Sequence, residues 1–372
     1  MKLLHIAFII ICLPIASLAQ IQTHQHSRVI QFPDVPGYLT LSTDLHQHTV
    51  FSDGYVWPNI RVLEAAADSL DVISMTDHIE YLPHKEEIPP VNFNRSHELA
   101  SQYALPYDLV VIQGAEITRG YPPGHTNALF IQDANLLNVP DSVDAFKEAK
   151  RQGAFLFWNH PDWFRDSDDA VATLHDLHRD FIKNDMLHGI EVVNDLTYSE
   201  EALQIALDQN LTIMGTSDIH GLVDWQYHVH EGGHRPVTLV FATERTTESI
   251  KEALFDRRTV VYFNDMLIGR EQHVKPLLNA CIALSSNGYI GTSTVLGVTL
   301  SNNSNALLIL ANQSEYNFRR DGDVIILPPG GEKKLEVKVL ANLDEIKLDF
   351  QVMNAITAPG THPEISIGVK AN

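Results

Sequence analysis

Short apolar runs alternate with helix-like stretches from about residue 38 to residue 241. The runs Tyr38 to Leu45, Asp71 to Thr76, Leu109 to Ala115, Asn127 to Ile131, Gly153 to Asn159 and Leu211 to Gly215 have strand length. Between them, Ile60 to Leu70 reads as a helix after the start signal Trp57-Pro58-Asn59. Ser142 to Gln152 reads as another, capped by Asp141 or Ser142. Ser199 to Gln209 is a third, with Ser199 as N-cap and Glu200 and Glu201 in its first turn. A fourth, Thr247 to Arg257, leads into the strand Thr259 to Phe263. Alternation of this kind predicts βα units.

The rhythm changes after about Gln272. Short β-like runs follow: Cys281 to Leu284, Thr294 to Leu300, Ala306 to Ala311, Asp323 to Leu327, Lys334 to Val339, Ile346 to Val352 and Glu364 to Val369. Turn sequences such as Ser-Ser-Asn-Gly and Pro-Pro-Gly-Gly separate them. Strands at this spacing predict a small sandwich that serves as lid, brace or dimer surface. A sugar-binding role has no aromatic stripe to support it.

The N-terminus adds a third segment. Lys2, an apolar run from Ile6 to Ile15 and Ala16-Ser17-Leu18-Ala19 match the three parts of a secretory signal peptide, with cleavage before Gln20. The run is well short of the ~20 residues of a membrane span. The expected division is therefore a signal peptide at 1–19, a first domain at 20–272 and a β domain at 273–372. Cys12 leaves with the signal, so Cys281 is alone and no intrachain disulfide can form. Export without disulfides suits a bacterial periplasm or the cell exterior.

The 47 Asp and Glu residues outnumber 26 Lys and Arg, for a formal charge of −21. That balance argues against gripping nucleic-acid backbones, which takes clustered cations.

The chemistry-bearing residues sit where apolar runs end. His46-Gln47-His48 closes the first, and i, i+2 residues of a strand share a face. Asp218-Ile219-His220 repeats the geometry after Leu211 to Gly215. Asp77-His78, Glu116 and His160 close three more runs, and His125 precedes Asn127 to Ile131. Imidazole and carboxylate are the usual ligands of zinc-like ions. Ligand types at successive strand ends are what a barrel needs to build a site on its rim.

These motifs, D-L-H-Q-H-T-x-x-S-D-G, T-D-H, G-A-E, G-H-T-N-A, N-H-P and S-D-I-H-G, resemble those of the PHP family of metal-dependent phosphoesterases, in the family's order. The resemblance runs from His46 to about residue 270. It implies a distorted (β/α)7 TIM-like barrel with three divalent transition ions, such as zinc, manganese or iron. One ion would take His46, His48, Glu116 and Asp218. A second would share Glu116 and add His125 and His160. The third would take Asp53, His78 and His220. The resemblance also implies hydrolysis by water activated at these ions. Glu116 would bridge two of them, and Asp77 either fixes an imidazole or caps a helix.

Candidate substrate groups lie beside these motifs. Arg119 and Arg235 could grip phosphate oxygens, with Lys85 a further cation and His84 a general acid. The expected substrate is a small phosphodiester. Three alternatives stand beside it: a phosphomonoesterase resembling histidinol phosphatase, an amidohydrolase-type metal hydrolase, and a non-catalytic metal- or carbohydrate-binding protein.

Overall fold

A computed structural model describes residues 28–88, 92–164 and 169–371. The signal-peptide segment lies outside the described residues. Among them, no helix is long and apolar enough to cross a membrane.

The first part of the chain alternates strands and helices. Its strands are β1 (Leu39–Asp44), β2 (Val72–Met75), β3 (Val110–Ile117), β4 (Thr126–Leu129), β5 (Phe155–Trp158), β6 (Gly189–Asn194), β7 (Thr197–Tyr198), β8 (Thr212–Thr216), β9 (Val237–Ala242), β10 (Thr259–Phe263) and β11 (Met266–Gly269). The helices are α1 (Pro58–Ala67), α2 (Arg95–Ala104), α3 (Ser142–Arg151), α4 (Asp176–Lys183), α5 (Glu200–Asp208), α6 (Val223–Gln226), α7 (Thr247–Phe255) and α8 (Glu271–Cys281). Three of the helix starts read from sequence carry side-chain caps. Asp141 accepts from Asp144 N, Ser199 from Ala202 N and Thr246 from Ser249 N.

The strands form one curled, mixed sheet in the order β11-β10-β9-β1-β2-β3-β4-β5-β6-β7, with β8 beside β6. The pairs β1–β2, β2–β3, β5–β6 and β6–β8 are parallel, while β9 runs against β1. The curl closes just beyond β1 and β8. There Gln47 bridges Ile219, Asp218 N donates to His46 O and His48 N donates to Ile219 O. This seam brings the first and last ligand pairs together. β4 is antiparallel to both β3 and β5. The start of β4 therefore lies at the rim where its neighbours end, which is why His125 precedes its strand rather than following it.

The second part is a sandwich. Its strands are β12 (Ile282–Tyr289), β13 (Val295–Asn302), β14 (Leu308–Asn312), β15 (Asn317–Phe318), β16 (Val324–Leu327), β17 (Glu332–Lys338), β18 (Glu345–Val352), β19 (Ala355–Ile356) and β20 (Glu364–Lys370). Two four-stranded sheets, β12-β13-β17-β15 and β16-β14-β18-β20, face each other. Alternate side chains such as Ile346, Leu348, Phe350 and Val352 are buried between them.

Two features of the junction were not read from the sequence. α8 occupies Glu271–Cys281, burying Val274, Leu277, Leu278 and Cys281 at helical spacing despite Pro276. β19 leaves the sandwich and pairs with β11, Leu267 against Ala355 and Ile268 against Ile356. Asn354 fixes that crossing, donating to Asp265 O and Leu307 O and accepting from Ile309 N. One apolar cluster runs through the junction, from Val260 and Leu267 to Leu308 and Phe350. The sandwich is thus packed onto the barrel.

Candidate metal centre

His46 and His48 leave β1 on one side and point into the rim. His46 Nε2 lies 3.0 Å from His48 Nε2, 3.2 Å from Glu116 Oε2 and 3.1 Å from Asp218 Oδ1. His48 Nε2 is 3.2 Å from the same Glu116 oxygen and 2.9 Å from Asp218 Oδ1. Four ligand-type atoms from three strand ends thus face a common point. Glu116 turns its other oxygen away, Oε1 lying 2.8 Å from His125 Nδ1 and 3.7 Å from His160 Nε2. Asp53 and His220 approach at 3.1 Å, and Asp53 lies 3.5 Å from His78 Nε2. All nine residues of the expected ligand set therefore gather in one cluster. The groups overlap: His48 also lies with Asp53, His78 and His220, and His78 with Glu116 and His125.

The cluster has a closed floor and an open side. Side-chain exposure rises from 0% at His46, His48 and Glu116 to 32% at His220. Asp53, His78, His125, His160, Asp218 and His220 line a cavity of about 720 Å³. Its described lining residues all lie between Asp53 and Gln226, so the sandwich contributes none of them.

The residues present fit divalent cations. Glu116 Oε1, His125 Nδ1, His160 Nδ1 and Asp218 Oδ1 are buried without an aligned hydrogen bond. Orphaned buried polar atoms are costly. Oxygen and nitrogen lone pairs that converge without donors between them are what a cation satisfies. Two of the ligands also adopt left-handed backbone, His160 with φ of 29° and Asp218 with φ of 49°.

Electrostatics agree with that fit. Burial opposes the charged form of His48, yet Asp218 and Glu116 outweigh it and raise its pKa to about 10. His46 is raised in the same way by Asp218, Glu191 and Glu116 against burial. Burial also opposes the charged form of Glu116, but His78, His46 and His125 hold its carboxyl well below the usual range. His78 differs, because burial outweighs Glu116 and lowers its pKa.

A supporting layer fixes these side chains. Glu191 on β6 is buried and lies 2.8 Å from His46 Nδ1 through Oε1. Its Oε2 accepts from His160 N and Asn194 Nδ2. Asp77 accepts from Thr49 N, Thr49 Oγ1 and Ser52 Oγ, and Ser52 Oγ lies 3.3 Å from His48 Nδ1. Asp77 therefore steadies the His48 loop, with Ser52 between it and the imidazole. Gly54 lies under the same loop. A Cβ there would stand 2.6 Å from the His48 carbonyl carbon, so only glycine fits.

The expected substrate groups are placed elsewhere, and each has a physical reason. Arg235 is fully buried and pairs with Asp44 at 3.0 Å and Asp68 at 2.8 Å. Those carboxylates are themselves buried and take the guanidinium as counter-charge. Arg119 is turned to Glu80 at 2.8 Å and to the carbonyls of Val139 and Pro140. His84 and Lys85 sit in a tight turn, with Glu87 N and Ile88 N donating to His84 O, and line a separate small pocket beside Asp77 and Phe51. Tyr81 reaches the main cavity in their place, joined by Trp163, Phe164 and Asp162. None of these four was singled out from the sequence. Glu191 was also missed, although a charged residue inside the run Gly-Ile-Glu-Val-Val was a readable signal of a buried partner.

A curled barrel whose strand ends gather imidazoles and carboxylates defines a class of metal-centred proteins. A crystal structure described as a two-domain protein containing a predicted PHP-like metal-dependent phosphoesterase, from Bacteroides vulgatus, matches 91% of this chain and 98% of its own, with 39% identity and a TM-score of 0.85. The chain belongs to that PHP-like metal-dependent phosphoesterase family. A family model described as an Ig-like domain matches residues 282–368. Two other solved structures cover 48% of the chain. One is a proposed metal-dependent phosphoesterase of Bifidobacterium adolescentis (18% identity, 88% of that chain, TM-score 0.38). The other is an amidohydrolase of Chromobacterium violaceum solved with sulfate and no metal (15% identity, 87% of that chain, TM-score 0.36). Those two overlaps are too partial to bear on the chemistry. A search of curated proteins finds no match.

Proposed function

We propose that this chain hydrolyses small-molecule phosphodiesters at a centre of divalent transition ions, one for each of the three ligand sets assigned above. The observation that carries the reading is Glu116, which offers its two oxygens to opposite halves of the cluster from a fully buried position. Ions held there would lower the pKa of water from ~15.7 towards ~7 and offset charge on phosphoryl oxygens. The chain's own contribution is placement. His46, His48 and Asp218 close the floor, Asp53 and His220 leave the outer side open to the cavity, and Glu191 and Asp77 hold the imidazole-bearing loops. Zinc, manganese and iron all suit this mixed nitrogen and oxygen donor set.

The test is turnover of bis-p-nitrophenyl phosphate against p-nitrophenyl phosphate, with each metal supplied in turn. Faster diester turnover supports the reading. Turnover of the monoester alone moves it to a phosphatase, and turnover of an amide or lactone alone to an amidohydrolase.

We also propose export to the periplasm or cell exterior. Its support is the Lys2, Ile6 to Ile15 and Ser17-Leu18-Ala19 pattern. N-terminal sequencing of the protein recovered from its native compartment should begin near Gln20. Recovery of Met1 in the cytosol would overturn this.

A further inference from the structure

Three aromatic side chains line the cavity, two of them directly beside proposed ligands. Tyr81 packs edge-on against His78 at 5.8 Å. Trp163 packs against His125 at 5.5 Å and edge-on against His160 at 5.1 Å. Phe164 continues this wall, edge-on to Trp163 at 6.3 Å. Tyr81 is 54% exposed and Phe164 68%. Large aromatic surface kept open at a binding cavity marks a contact surface.

The charge of the lining points the same way. Among the described residues, no Lys or Arg lines the cavity, whereas Asp162 and Asp195 do. Asp195 is already engaged by Gln226 Nε2 at 2.6 Å and Tyr227 OH at 3.1 Å. Among the described lining residues, charge on the phosphoryl group is met at the ligand cluster. A second anionic group farther along the substrate would face these two carboxylates.

We propose that the group esterified to the phosphate is a flat aromatic ring carrying no further negative charge, held against Phe164 and Tyr81. This rests on the reading of the cavity as a phosphoester site. A ring stacked on aromatic faces gains attraction beyond the area it buries, whereas a methyl group gains almost none.

The test is calorimetric titration of the metal-loaded full chain with phenylphosphonate and with methylphosphonate, which share a head group and differ in the ring. Phenylphosphonate should bind about tenfold more tightly. The advantage should fall to within about twofold in the double variant Tyr81→Ala, Phe164→Ala. 4-Carboxyphenylphosphonate should bind more weakly than phenylphosphonate. Equal dissociation constants for the phenyl and methyl compounds would overturn the proposal, as would binding of neither. Turnover of phenyl and methyl p-nitrophenyl phosphate, measured in parallel, separates the two readings. Tighter phenyl binding without turnover of either ester removes the hydrolase reading and keeps the aromatic wall. Turnover of both at equal kcat/KM, with equal phosphonate binding, does the reverse.

Discussion

Glu191 Oε1 lies 2.8 Å from His46 Nδ1, and the same carboxylate accepts from the backbone N of His160 through Oε2. One buried side chain thus orients an imidazole at the floor of the cluster and fixes the backbone of a second ligand. Glu191→Gln keeps the volume but cannot accept at all these positions. Partners of this kind are typically worth about 10–100-fold in metal affinity. Metal titration of the Glu191→Gln protein should show a loss of that order with unchanged circular dichroism. Wild-type affinity would return Glu191 to a purely structural role.

Metal uptake should release protons. In the metal-free protein Asp218 and Glu116, acting against burial, hold the pKa of His48 at about 10 and raise that of His46 well above its ordinary value. The carboxylates thus favour an added proton on this pair of rings, whose Nε2 atoms lie 3.0 Å apart, and a cation must displace it. Affinity should therefore fall steadily as pH drops below about 10. Calorimetry in buffers of differing ionisation enthalpy reads the proton count directly, and a count of zero at pH 7 would refute this.

Arg235 is a matter of stability. Its removal would leave Asp44 and Asp68 buried and unpaired, a loss on the order of 3–5 kcal/mol. Denaturant unfolding of Arg235→Met should show it, with kcat/KM of the folded fraction little changed. Arg119→Ala, whose guanidinium is held by Glu80, should shift KM less than about twofold. A large rise in KM for either would restore it to substrate binding.

His178 gives the fold an acid limit. Burial lowers its pKa to about 4, with the Pro123 carbonyl acting against this and His175 adding to it, and the ring stacks on Trp158 at 4.0 Å. The unfolded chain takes up that proton near 6.5 and the folded chain only near 4. Stability from this group is therefore full above about 6.5 and lost progressively down to about 4, up to roughly 3 kcal/mol. Unfolding curves of wild type and His178→Gln should converge across that window. Parallel curves would exclude it.

The ligand cluster was legible because its residues end apolar runs, and strand ends of a barrel share one rim. Period alone paired His46 with His48 and Asp218 with His220, whereas the grouping of Asp218 with His46 and His48 came from the family resemblance. Partners of the cations could not be read, because Arg235 finds Asp68 and Asp44 across 167 and 191 residues of chain. Glu191 lies in Gly-Ile-Glu-Val-Val, a run absent from the strands read above, although its single charge among apolar residues was a readable signal. α8 had helical spacing in Val274, Leu277, Leu278 and Cys281, but Pro276 and the β-rich stretch after it masked the period. β19 is two residues long and pairs with a strand about 90 residues earlier, which leaves no local trace.

The nine ligand-type residues gathered at the rim should form a centre for divalent ions. Elemental analysis of the full chain, reconstituted with excess zinc, manganese or iron and then desalted, tests it most directly. About one ion is expected for each of the three assigned ligand sets, and fewer in His46→Ala at unchanged secondary structure. At most one ion per chain with every metal, or an unchanged content in His46→Ala, would contradict it.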